Sequence, residues 1–67
     1  MHITLKAARV NMGMPQKKAA ELLGISVDTL KNYERGKTFP DVLTLKKIEK
    51  AYGVRYENII FLPRNNT

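Results

Sequence analysis

The sequence predicts an all-α fold, a compact bundle of about five short helices. Two observations carry that expectation. Gly13, Gly24, Gly36 and Gly53 each follow a stretch with helical periodicity, and glycine readily supplies the left-handed residue that ends a helix. Every segment between them is helix-length, and none shows the period-2 alternation of a half-buried strand. Pro15 and Pro40 stand near the starts of the following segments, where a missing N–H costs least.

Taken in order, a first helix is expected over about residues 5–12, capped by Thr4, with Leu5, Ala8 and Met12 as its apolar stripe. The second covers about residues 16–23 and presents Ala19, Ala20 and Leu23. The third covers about residues 27–35. Ser26 is its N-cap, Asp28 sits in the first turn where a negative charge suits the helix dipole, and Leu30 and Tyr33 point inward. After a loop over residues 36–40, Asp41 caps a fourth helix over about residues 42–51, with Leu45, Ile48 and Tyr52 on one face. A short fifth helix or turn is expected over about residues 56–60. Residues 1–62 form the expected single domain, and residues 63–67 a polar, disordered tail.

Composition narrows the function. Twelve Lys and Arg against six Asp and Glu leave a net charge of +6, with a sequence pI near 9.9. The 43% hydrophobic content is too high for a disordered chain. No cysteine is present and His2 is the single histidine, so disulfides, thiolate catalysis and Cys- or paired-His metal sites are excluded. The six carboxylates are scattered over different helices, and no catalytic constellation can be assembled from them. The expectation is a non-enzyme with no metal or cofactor. No apolar run approaches the roughly 18 residues of a membrane span, and the opening MHITLKAARV lacks the apolar region of a secretory signal. A cytoplasmic protein with an anionic partner and no membrane association is expected. Through Pro40 the chain holds seven basic and three acidic residues, and beyond it five basic and three acidic. Basicity is therefore concentrated in the first part.

The same part carries the informative motif, over residues 16–35. Two helices that cross steeply through a short turn need a small residue where they come closest, and Ala20 stands there. The turn itself favours a positive φ, which Gly24 supplies. Ala19, Leu23, Ile25, Leu30 and Tyr33 fill the apolar positions that seal the pair onto a core, and no proline interrupts either helix. Together these predict a helix-turn-helix.

Over about residues 5–62 the sequence resembles the lambda-repressor-like family, the Cro and repressor type of helix-turn-helix DNA-binding proteins. The segments PQKKAAELLGIS, TLKNYERGKTFP and LKKIEKAYGV carry the likeness. The resemblance implies five helices, with residues 27–35 in the major groove of double-stranded DNA and residues 16–23 crossing the backbone above. It implies a transcriptional regulator or repressor of phage, prophage, mobile-element or small bacterial type, and because 67 residues leave no room for a ligand-sensing domain no small-molecule ligand is expected. Val27, Asp28 and Asn32 match base-facing positions, with Lys31 beside them. Asn suits adenine, Asp a cytosine amine and Val a thymine methyl. Gln16, Lys17, Thr29, Arg35, Lys37 and Thr38 match backbone-contact positions, and Lys18 is a further candidate. Arg9 and Glu34 match a structural pair tying the first helix to the end of the third.

Two departures qualify this. Pro15 stands where the family usually has a Ser or Thr cap, and Asp28 either reads a cytosine or simply stabilises the helix N-terminus. Lys46, Lys47 and Lys50 read as a solvated helix face, and Tyr52 and Tyr56 as core or interface. The apolar run Ile59, Ile60, Phe61, Leu62 points to an interface, and a homodimer on DNA is expected. The alternative reading is an antitoxin-type module whose main partner is a protein.

Overall fold

The computed structural model describes residues 2–61. Strand β1 (Ile3–Thr4) leads directly into helix α1 (Leu5–Asn11), followed by α2 (Gln16–Leu23), α3 (Val27–Glu34) and α4 (Val42–Tyr52). A 3₁₀ turn (Tyr56–Asn58) then enters strand β2 (Ile59–Ile60). The expected tail lies outside the described residues. None of the described helices is long and apolar enough to cross a membrane.

Local signals set the helix starts. Thr4 Oγ1 accepts the Ala7 N–H at 3.1 Å, Ser26 Oγ that of Thr29 at 3.1 Å, and Asp41 Oδ1 that of Thr44 at 2.8 Å. Each satisfies a first-turn donor that has no partner within its helix. The bond from Thr44 holds the Asp41 carboxyl below its ordinary value. Pro15 caps α2 without a side-chain hydrogen bond. The end of α3 is closed by Gly36 at φ +77°. Its N–H donates to the Tyr33 carbonyl at 3.2 Å and the Lys37 N–H to that of Asn32 at 2.9 Å, the paired bonds of a Schellman stop. A side chain at Gly36 would be strained in this conformation.

Of the fifth helix or turn expected over residues 56–60, a 3₁₀ turn forms over Tyr56–Asn58 and Ile59–Ile60 form a strand instead, so the fold is four helices with a small two-stranded sheet. Ile59 pairs with Ile3 and Ile60 with Thr4, in parallel. Two-residue strands are too short to show alternation, and their partners lie more than fifty positions apart in the chain. Only the tertiary arrangement pairs them. The pairing also separates the fates of Ile59, Ile60 and Phe61 in the apolar run. Ile59 is buried, Phe61 is half-buried and meets Phe39 edge-on with ring centroids 6.3 Å apart, and Ile60 is exposed. Leu62 lies outside the described residues.

The core gathers Leu5 and Ala8 of α1, Ala19, Ala20 and Leu23 of α2, Leu30 of α3, Ile48 and Tyr52 of α4, and Ile59. Met12 departs from its expected stripe and is 51% exposed. Helix α1 stops at Asn11, so the spacing that would carry Met12 over the core ends one residue too early. The place on that face is taken by Arg9, which is buried. Tyr56 is exposed rather than in the core, because the 3₁₀ turn swings it outward.

Candidate nucleic-acid interface

Arg9 and Glu34 meet. Arg9 Nε donates to Glu34 Oε2 at 2.6 Å, Nη2 to Oε1 at 3.2 Å, and Nη1 to the Met14 carbonyl at 2.8 Å. Their side chains are only 8% and 6% exposed. This two-pronged contact ties α1 to the last residue of α3, so the pair holds that end of α3 against α1. Gln16, in the first turn of α2, donates Nε2 to Glu34 Oε1 at 3.1 Å. Three helices are thereby locked around one carboxylate.

Tyr52 lies beside this network. Its hydroxyl is buried and has no hydrogen-bond partner among the described residues. Burial pushes it up to about 12, with the Glu34 charge adding and the Arg9 charge opposing. An unpaired buried hydroxyl is costly, so Tyr52→Phe should raise stability by about 1 kcal/mol at neutral pH in urea denaturation. The pH sign follows from the raised value. This group adds no pH dependence below the ordinary value of 10.0, and stability falls as pH rises from there through about 12, because the unfolded chain gives up the proton first. Tyr52→Phe should therefore flatten that alkaline decline. A variant less stable by 1 kcal/mol or more would show that the hydroxyl serves the Arg9–Glu34 pair.

Of the residues expected to face bases, Asp28 and Lys31 are exposed, Asn32 is half-buried, and Val27 is half-buried against the core. Among the expected backbone contacts, Lys17, Arg35, Lys37 and Thr38 are exposed, while Gln16 and Thr29 are half-buried. Thr29 Oγ1 accepts from Ser26 Oγ at 2.9 Å, which fixes its rotamer at the start of α3. Lys37 and Thr38 are anchored through the Asn32 carbonyl, which accepts both their N–H groups at 2.9 and 3.4 Å. Lys18 is engaged with Glu21 at 3.5 Å on the exposed face of α2. The structure thus gathers Lys31, Arg35, Gln16 and Glu34 on one concavity and places Lys37 and Thr38 at the end of the same helix.

Lys6 also lines that concavity, a residue that sequence reasoning misses. A signal exists: Lys6 and Arg9 are three apart in a helix and so share a face. Its use requires knowing that Arg9 is held against Glu34.

Comparison with known proteins agrees with this geometry. A family model described as helix-turn-helix matches residues 5–59. The chain is 43% identical over 56 residues to the HTH-type transcriptional regulator ImmR of Bacillus subtilis, covering 84% of this chain and 44% of ImmR. It is 31% identical over 62 residues to the HTH-type transcriptional regulator YgzD of the same organism, covering 92% of this chain and 94% of YgzD. The SPbeta prophage-derived HTH-type transcriptional regulator YonR, also of Bacillus subtilis, is 40% identical over 50 residues, 75% of this chain and 46% of YonR. The chain therefore spans less than half of ImmR and YonR and nearly all of YgzD. On the α2–α3 geometry and these matches, the chain belongs to the helix-turn-helix family of transcriptional regulators.

Proposed function

We propose that the protein is a sequence-specific, double-stranded DNA-binding transcriptional regulator of prophage or small bacterial type that works in the cytoplasm without catalysis. Helix α3 enters the major groove, with Asp28 and Asn32 toward base edges and Val27 at their margin. Gln16, Lys17, Thr29, Arg35, Lys37 and Thr38 hold the sugar–phosphate backbone. The observation that carries this reading is the lock of α1, α2 and α3 around Glu34. It fixes the end of α3 while leaving Asp28 exposed and Asn32 half-exposed, as reading a groove requires. The test is selection of bound duplexes from a random DNA pool. A recovered consensus supports the reading, and absence of any enrichment with a folded protein overturns it.

The protein acts as a homodimer on DNA, because one recognition helix spans too few base pairs for useful specificity. Supporting this, Val42 and Leu43 at the start of α4 are 68% and 65% exposed. Val42, Leu45 and Tyr56, with Lys46 and Glu49, line one groove of about 320 Å³. Twofold pairing places the two α3 helices about 34 Å apart, on half-sites roughly 10–10.5 bp centre to centre. Val42→Glu probes the assembly without harming the helix, since an acidic residue suits a first turn. The expected result is a palindromic consensus, two chains per duplex, and weaker cooperative binding by Val42→Glu in a mobility-shift titration. One chain per duplex on an asymmetric consensus would refute the dimer.

A further inference from the structure

The concavity beside the Arg9–Glu34 pair is lined by Lys6 of α1, Gln16 of α2, Lys31 and Glu34 of α3, and Arg35, and holds about 420 Å³. Its carboxylate is already matched. Glu34 receives two bonds from Arg9 and one from Gln16, so its charge is neutralised from within the protein. What remains on the lining is three cations, Lys6, Lys31 and Arg35. All three are exposed, and none forms an ion pair among the described residues. Gln16 gives one amide hydrogen to Glu34 and keeps a second to donate. A concave site with three unmatched cations and a spare N–H fits a phosphate oxygen.

The site adjoins the base-facing residues of α3 without containing them. Lys31 and Arg35 are four apart and share a face with Glu34. Asn32 lies about 100° around the helix from Lys31. Lys31 lines the concavity together with Arg35, and Asn32 does not. Lys31 is exposed there, whereas Asn32 is half-buried.

We propose that Lys6, Lys31 and Arg35 form a clamp for DNA backbone phosphates, with Lys6 a contact delivered from α1 and Lys31 a phosphate contact rather than a reader of bases. This rests on the duplex-binding reading above. Lysine is suited to the task, because a point charge on a flexible stem follows a phosphate without demanding one approach angle.

The experiment titrates the full chain and its variants against the selected duplex and a scrambled one, by fluorescence anisotropy over a series of salt concentrations. Lys6→Ala and Lys31→Ala should each weaken both duplexes by a similar factor and reduce the slope of log affinity against log salt by about 0.9 for every phosphate left without its cation. Lys6→Arg should restore the slope, and Lys50→Ala on α4 should leave it unchanged. Thermal unfolding of each variant confirms that folding is retained. An unchanged slope for Lys6→Ala, or relaxed base preference with an unchanged slope for Lys31→Ala, overturns the clamp. If the unaltered protein binds neither duplex, the duplex-binding reading itself fails, a result distinct from binding that ignores Lys6.

Discussion

Replacing Glu34 with alanine is expected to cost about 3 kcal/mol of folding stability. Arg9 would keep only the Met14 carbonyl at 2.8 Å, and its guanidinium would stay buried with most of its charge unanswered. Gln16 would lose its partner as well. A chain of this size draws roughly 3–5 kcal/mol from its core, so the variant should be marginally folded at ambient temperature. Arg9→Ala should cost a comparable amount, because it leaves Glu34 with the Gln16 amide alone. The double variant should cost less than the two singles together, with a coupling on the order of 1–3 kcal/mol. Urea denaturation of the four proteins measures this directly. Glu34→Gln, which keeps the shape and one acceptor, provides a folded point for comparison. Additive costs would mean that the pair is not energetically coupled, despite its 2.6 Å separation.

The second large effect separates reading from positioning. Asn32→Ala should cost about 1–3 kcal/mol on the selected duplex and relax preference at one base pair per half-site. Affinity for scrambled DNA and the salt slope should stay nearly unchanged. Lys37→Ala should do the opposite, weakening every duplex by a similar factor and lowering the salt slope by about 0.9. The two side chains are well chosen for comparison because their backbones are joined. The Lys37 N–H donates to the Asn32 carbonyl at 2.9 Å, and that bond survives both substitutions. Any difference therefore belongs to the side chains. Equal losses on both duplexes for Asn32→Ala would make it a backbone contact or a structural residue, and base reading would pass to Asp28 and Val27.

The candidate site is unevenly legible in the sequence. Gln16, Asp28, Asn32 and Lys37 can be singled out because residues 16–37 form one contiguous helix–turn–helix and loop, where fixed spacing determines which side chains share a face. Lys6 cannot, since its relevance depends on a contact between Arg9 and Glu34, twenty-five positions apart. Lys31 falls among the base-facing residues only as their neighbour in sequence. Its place on the concavity emerges once α1 is packed against the end of α3.

The four helices, the side-chain caps of α1, α3 and α4 and the glycine stop of α3 are legible along the chain, because these depend on contacts within about five positions. Thr4, Ser26 and Asp41 each reach the N–H three residues ahead, and Gly36 closes α3 through bonds to residues just behind it. Tertiary structure alone decided the pairing of Ile3 with Ile59, the exposure of Met12, and the convergence of Lys6, Lys31 and Arg35. Two-residue strands have no periodicity to read. Which face of α1 is buried depends on the element that arrives against it, and α1 ends before Met12 can join that face. Periodicity gives each helix its faces, but packing between segments distant in the chain chooses their neighbours.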